Sequence, residues 1–447
     1  MISNWKWKLV KKTKKGFNEK IFDKHVFKYL NFNQWNHEYQ VLCKKARGKE
    51  CSLILYEYEN YDTINRLMGY ETGKQSVLTL LSTAEQFFDK GSIFLLTQSK
   101  ILIILMDKER KDSYEMANKF LLSTKNPIMI NEEPVMIRMK CGIEHNILSK
   151  KGKHEIINKL GKALGQSDFT KQDISIYDKK VDEEMHNYYN MLFSICNGID
   201  HDLFHLVYQP KIRMKNNEIA GVEALLRWDN ENYRNIPISD VIKMAEDADM
   251  INKITKWVIK KAMIQLKEWE SIGKQIRIAI NLSAKDLQDK SFLNFLKENI
   301  GLYKIDPSFL EFELTERSII NDETMVFKVL SEIKKMGIKV SMDDYGTGHN
   351  SMIYLGKSLF QFDYIKIDKM FIDEIGNSNT RTLIEGIIKT AHGWKMEIVA
   401  EGVESQEQIN ILKDLECDII QGYYYSKPLL PNELNTYRKQ VLYKSNI

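Results

Sequence analysis

The sequence predicts two α/β units in series: an α/β sandwich, followed by a (β/α)₈ barrel of about 250 residues. Three observations carry this. From Leu206 onward, short apolar runs recur with helical patterns between them: Leu206 to Tyr208, Ile219 to Leu226, Ile276 to Leu282, Phe309 to Leu314, Ile338 to Met342, Tyr364 to Ile367, Glu397 to Ala400 and Asp418 to Ile420. Nearly every run carries a polar or charged residue, and strand ends are where a barrel of this kind presents its chemistry. Upstream, between Asn31 and Asp178, strand-like runs (Ser52 to Tyr56, Lys100 to Leu105, Val135 to Cys141) mix with helical segments, as in a layered sandwich.

Residues 1–30 form a basic arm, in which Trp5, Trp7, Leu9 and Val10 alternate with lysines at 6, 8, 11, 12, 14 and 15. That composition suits either peripheral contact with an anionic membrane surface or a solvated arm. Residues 31–180 make the sandwich domain. A polar stretch from Lys171 to Glu184 marks its end, and the apolar spacing from His186 to Gly198 predicts a helix leading into the barrel of residues 181–447.

Composition narrows the function. A chain of 447 residues with 43% hydrophobic content is globular and long enough for two or three domains. Its 65 basic and 61 acidic residues leave a net charge of +4, too small to point to nucleic acid as a partner. Five scattered cysteines (Cys43, Cys51, Cys141, Cys196, Cys417), with no CxxC pair, argue against a disulfide framework or a zinc site and for a cytoplasmic location. No apolar run of roughly 18 residues is present to span a membrane.

The stretch Ile338-Lys-Val-Ser-Met-Asp-Asp-Tyr-Gly-Thr-Gly-His-Asn-Ser351 joins a strand to two adjacent carboxylates and a glycine-rich loop. Neighbouring strand residues point to opposite faces. Asp343 and Asp344 can serve one metal each, or share one, only where the strand ends and Gly346 and Gly348 let the backbone turn. Similar residues mark the other runs: Glu223, Asn281, Glu313, Lys366, Glu401 and Gln421. Charged groups inside apolar strands are costly to bury unless paired or metal-bound, so one on nearly every strand points to a shared cation site. Oxygen ligands without a Cys or His cluster favour Mg²⁺ or Mn²⁺.

Residues from about 186 to 435 resemble an EAL-domain cyclic-di-GMP phosphodiesterase. The motifs are Tyr208-Gln-Pro210, Glu223-Ala-Leu225 with Arg227, Asn281-Leu-Ser283, Glu313-Leu-Thr-Glu316, Asp343-Asp-Tyr-Gly-Thr-Gly348, Lys366-Ile-Asp368, Glu401-Gly-Val-Glu404 and Gln421-Gly422. The resemblance implies hydrolysis of cyclic-di-GMP to linear pGpG with two Mg²⁺ or Mn²⁺ ions. Glu223, Asn281, Glu313 and Asp343 would bind one ion, and Asp343 and Asp344 the second, with Glu401 in its shell or acting as a base. Lys366 would hold the attacking water, Gln421 would complete the site, Gln209 and Arg227 would contact substrate, and Glu316 would anchor the Asp343 to Ser351 loop. A homodimer is also implied.

The sandwich resembles the GGDEF (diguanylate cyclase) domain through Tyr56-Glu-Tyr-Glu-Asn-Tyr-Asp-Thr-Ile-Asn65 and Met68-Gly-Tyr-Glu-Thr-Gly73. The resemblance is to a degenerate copy of it. Glu57 and Glu59 stand where that family has a metal-binding Asp pair, and Thr97-Gln-Ser-Lys-Ile101 replaces the signature hairpin. Lys100 puts a cation where a carboxylate is needed, so the expected role is regulatory.

Plainer readings stand beside these. Glu313, Glu316, Glu401 and Glu404 also suit helix starts, Arg227 and Trp228 a stacked surface pair, and Tyr423 to Tyr425 simple packing. Relative to the EAL pattern, Asp229 to Ile236 replaces a His-Pro pair and a Gly, and His349-Asn350 replaces Tyr-Ser. The alternative function is a cyclic-di-GMP receptor that passes a signal to a protein partner without cutting its ligand.

Overall fold

The computed structural model describes residues 30–46, 48–106, 108–148, 153–315, 318, 323–346, 362–434 and 436–437. The basic arm of residues 1–29, Glu316 and the His349-Asn350 pair lie outside the described residues. The chain divides into two compact units that part between Tyr189 and Asn190, within the helix Lys179–Asp200.

The first unit is built on a six-stranded sheet in the order β1-β3-β4-β2-β7-β8. Its strands are β1 (Leu30–Asn31), β2 (Glu50–Tyr58), β3 (Ile93–Thr97), β4 (Lys100–Met106), β7 (Met139–Ile147) and β8 (Ile174–Ile176); β5 (Ile128–Ile130) and β6 (Glu133–Val135) form a separate ribbon. The central strands read as unbroken apolar runs because both of their faces are covered. On one face Ile54, Tyr56, Ile101 and Ile103 join Phe88 and Phe120; on the other Leu53, Leu55, Leu102 and Ile104 join Leu160 and Leu164. Each such buried side chain contributes roughly 1.5–3 kcal/mol over leaving it exposed. The Tyr56 hydroxyl, deep in this core, donates to the carbonyl of Ala117 at 3.1 Å. The strand expected over Val135 to Cys141 is in fact split: β6 ends at Val135 and β7 begins at Met139. At the break the Asn60 side chain takes the place of a strand partner: its Nδ2 donates to the Met136 carbonyl at 2.9 Å, and its Oδ1 accepts from the Arg138 N–H at 2.8 Å.

The second unit is a closed barrel of eight strands: β9 (Phe204–Arg213), β10 (Glu218–Trp228), β11 (Ile278–Leu282), β12 (Leu310–Thr315), β13 (Lys339–Tyr345), β14 (Tyr364–Ile367), β15 (Glu397–Ala400) and β16 (Ile419–Gln421). All eight predicted runs are strands. One feature of the expected fold is corrected: β9 runs antiparallel to both of its neighbours, β10 and β16. No helix intervenes between β9 and β10, which are joined by residues 214–217 with Asn217 in the left-handed region at φ 55°. The reason is length. A parallel crossover needs a dozen or more residues, and the first run extends through Arg213, which leaves room only for a hairpin.

Along the barrel strands, alternate residues divide between two environments. In β12, Leu310, Phe312 and Leu314 pack outward into a core shared with Phe292, Leu296 and Leu330 of the surrounding helices. Glu311 and Glu313, between them, face the lumen, where they bond to residues of strands that are not their neighbours. The lumen is therefore polar and charged over much of its depth.

Candidate active site

The barrel's carboxyl-terminal mouth gathers Glu223, Asn281, Glu313, Asp343, Asp344, Glu401 and Gln421 around Lys366. This side chain is 1% exposed, and its ammonium lies 2.7 Å from Glu313, 2.7 Å from Glu401, 3.0 Å from Asp343 and 3.9 Å from Glu223. Those carboxylates come from β12, the end of β15, β13 and β10, so one cation ties four parts of the wall together. Burial alone would favour the neutral amine, but the surrounding negative charge overrides it and holds Lys366 well above the ordinary lysine range.

Glu223 is held by two amides. Asn281 Nδ2 donates to Oε1 at 2.8 Å, and Gln421 Nε2 donates to Oε2 at 2.7 Å. Gln421 Nε2 also donates to Gln209 Oε1 at 3.2 Å, so Gln209 joins the cluster through Gln421 rather than through the carboxylate itself. Gln421 Oε1 is buried and has no hydrogen-bond partner among the described residues. An orphaned acceptor beside a cluster of carboxylates is what an ion or its water would satisfy.

Asp343, Asp344 and Glu401 bring carboxylate oxygens within 4.8 Å of one another. Asp344 has φ 53°, in the left-handed region that non-glycine residues rarely enter but Asp and Asn tolerate. Its backbone N–H donates to Asp343 Oδ1 at 2.9 Å, and the register between β13 and β14 shifts beyond Met342. This twist at the strand end lets two consecutive carboxylates belong to one site. Burial and the neighbouring Asp343 and Asp368 push the Asp344 carboxyl up to about 6. Burial, with Asp343, Glu223 and Glu313 nearby and Lys366 only partly offsetting them, pushes Glu401 up to about 8. Glu223 is raised for the same reason. Glu313 moves the other way, to about 2, because two lysines outweigh its burial.

Oxygen donors dominate this set, and a buried ammonium occupies its centre. The residues fit hard divalent cations: several carboxylates, two amides and no soft ligand, at a place the protein already fills with positive charge. Arg227 stands apart from the cluster. It is half-buried, and its Nη1 donates to the carbonyl of Leu226 at 2.8 Å. Trp228 stacks not on Arg227 but on Phe204 and Tyr233, with ring centroids 5.5 and 5.3 Å apart.

Two residues escaped the sequence reading. Lys211 and Glu311 are buried under the site, 2% and 3% exposed, with Lys211 Nζ 2.8 Å from Glu311 and 2.5 Å from Glu313. The signal was their spacing. Lys211 lies two residues from Gln209 and Glu311 two residues from Glu313, so each shares the lumen face of its strand with a predicted site residue.

In the first unit the acidic pair is already neutralised. Lys100 lies 3.0 Å from Glu57, while Lys140 reaches Glu57 at 3.4 Å, Glu59 at 3.5 Å and Asp168 at 2.7 Å. The Thr97 to Lys100 segment is a tight hairpin between β3 and β4, with Thr97 opposite Lys100.

The EAL domain family matches residues 194–428. Among curated relatives, the signaling protein YkoW of Bacillus subtilis is 29% identical over 86% of this chain, and the cyclic di-GMP phosphodiesterase PA2567 of Pseudomonas aeruginosa is 26% identical over 85% of it. The chain spans 48% of the length of the first and 65% of the second. A solved structure described as the PaMucR phosphodiesterase in complex with c-di-GMP is 30% identical, with a TM-score of 0.52, over 55% of this chain and 99% of that one. Family match, shared barrel and the acidic cluster at its mouth agree, and the chain belongs to the EAL domain family.

Proposed function

We propose that this protein hydrolyses cyclic-di-GMP to linear pGpG, adding one water and breaking one of the ring's two phosphodiester bonds. The observation that carries the proposal is the convergence of Glu223, Glu313, Asp343 and Glu401 on one buried cation, with Asp344 and Asn281 beside them. Glu223, Asn281, Glu313 and Asp343 would hold one divalent ion, and Asp343, Asp344 and Glu401 a second. Two such ions, Mg²⁺ or Mn²⁺, supply the charge that activates water and stabilises an in-line displacement at phosphorus.

The chain's own groups do the rest. Lys366, released from the carboxylates it now bridges, donates hydrogen bonds to the attacking water and orients it. Glu401, in the shell of the second ion, is placed beside Lys366 to accept a proton from that water. Asn281 and Gln421 keep Glu223 from rotating, and Gln421 Oε1 offers a further acceptor. Gln209 and Arg227 contact the substrate. No side-chain nucleophile is required.

The front unit is a degenerate GGDEF domain in this reading, regulating the barrel within a homodimer. The lysines bound to Glu57 and Glu59, and a hairpin at Thr97 to Lys100 without glycine, support a loss of cyclase chemistry. Mixing purified protein with cyclic-di-GMP in EDTA and then adding Mg²⁺ or Mn²⁺ tests the central role. Linear pGpG appears only after the ions are added; a protein that binds the dinucleotide and never opens it is instead a receptor.

A further inference from the structure

Glu313 is fully buried, and its two oxygens have different partners. Oε1 accepts from Lys211 at 2.5 Å, from the deeper side of the lumen, and Oε2 accepts from Lys366 at 2.7 Å, within the site. Lys211 is anchored in turn. Its ammonium also donates to Glu311 Oε1 at 2.8 Å, and the same oxygen accepts from Ser341 Oγ at 2.6 Å. These groups come from β9, β12 and β13. Lys211 reaches β12 across the barrel from the one reversed strand, where its neighbours are Gln421 of β16 and Gly221 of β10, a residue with no side chain to compete for the lumen.

We propose that Lys211 is a positioning residue for the ion site. It pins Glu313 by one oxygen, so that only the other is presented to an ion, and it balances the charge of Glu311 beneath. This rests on reading the cluster above it as the ion site. A carboxylate free to rotate could chelate one ion with both oxygens and draw it away from the second. Outer partners that orient a metal ligand are typically worth about 10–100-fold in ion affinity.

The test is calorimetric titration of the full chain with Mn²⁺, in wild type, Lys211→Met and the double variant Lys211→Met with Glu311→Gln. The double variant removes one positive and one negative charge together. In wild type Mn²⁺ binds; if it does not, the ion-site reading fails and this inference with it. Given binding, Lys211→Met weakens affinity by about 10–100-fold and lowers kcat, with the KM for cyclic-di-GMP near the wild-type value. The double variant regains the melting temperature of the ion-free protein yet still binds Mn²⁺ at least about tenfold more weakly than wild type. A role in charge balance alone would restore affinity along with stability, and that result overturns the proposal. So does Lys211→Met binding Mn²⁺ as wild type does, or the failure of both variants to fold, which would make Lys211 a residue of folding rather than of the site.

Discussion

Replacing Lys366 by Met removes the one ammonium that Glu313, Glu401 and Asp343 share and leaves a chain of similar length in its place. Taking one partner from a buried ion pair costs about 3–5 kcal/mol, because an uncompensated charge stays behind. Here the cost falls toward the lower end, about 3 kcal/mol: burial already raises the Glu401 and Glu223 carboxyls above the ordinary carboxylate range, and Glu313 keeps Lys211. For a folding unit of this size, each kcal/mol shifts the midpoint by about 2–4 °C, so the barrel of ion-free Lys366→Met should melt about 6–12 °C below wild type in EDTA. Divalent ions should close much of that gap, since an ion at a hundred times its Kd contributes about 2.7 kcal/mol. They should stabilise the variant more than wild type, where the ion must first displace an ammonium. Differential scanning fluorimetry in EDTA, Mg²⁺ and Mn²⁺ measures both effects, and turnover of cyclic-di-GMP should fall by orders of magnitude even with ions present. An ion-free variant that melts with wild type, or one that ions stabilise no more than wild type, would show that Lys366 does not balance these carboxylates in the ion-free protein.

Other outcomes follow from the same geometry. Asp343→Asn and Asp344→Asn should each fold normally and lose turnover by orders of magnitude, because a neutral amide is a weak ligand for a hard cation; Asn also tolerates the left-handed backbone at Asp344. Near-wild-type hydrolysis by Asp343→Asn would contradict the ligand assignment. Ion affinity should depend on pH. Acids raised to about 6 at Asp344 and about 8 at Glu401 hold protons below those values, and an ion must displace them. Apparent affinity should therefore climb as pH rises through 6 toward 8, by up to about tenfold per unit for each proton released, and level off above. Calorimetry in buffers of different ionisation heat reads the protons directly, and a flat profile from pH 6 to 8 would exclude this linkage. The front unit should make no cyclic-di-GMP from GTP and Mg²⁺, tested with Glu223→Ala so that any product survives; accumulation would show that the lysines on Glu57 and Glu59 do not disable it.

Much of the barrel could be read from periodicity, because each strand's outward face is an apolar run against helices while its inward face carries the chemistry. Glu313, Lys366 and Glu223 stood out as charges inside such runs, and the structure brings them together. The direction of β9 was a different kind of question. An apolar run has no sign, so only the short 214–217 connection pointed to a hairpin. Lys211 and Glu311 were missed because a site is sought at strand ends, whereas these two lie one layer deeper, where a polar barrel must balance its own charge. Their pairing joins β9 to β12, strands about a hundred residues apart, and no local pattern encodes such a contact. In the first unit, Ser52 to Tyr56 and Lys100 to Leu105 were legible as strands from their apolar runs, while the break between β6 and β7 depends on a side chain distant in sequence, Asn60, which bonds the Met136 carbonyl and the Arg138 N–H.

If the barrel opens cyclic-di-GMP with water, the solvent oxygen must end up in the product. Turnover in ¹⁸O-labelled water with Mg²⁺ or Mn²⁺, analysed by chromatography and mass spectrometry, tests it most directly. Linear pGpG carrying one labelled oxygen on its terminal phosphate should be formed by wild type and abolished in Glu223→Ala. Intact cyclic-di-GMP recovered from a protein that binds both ions and dinucleotide would contradict it.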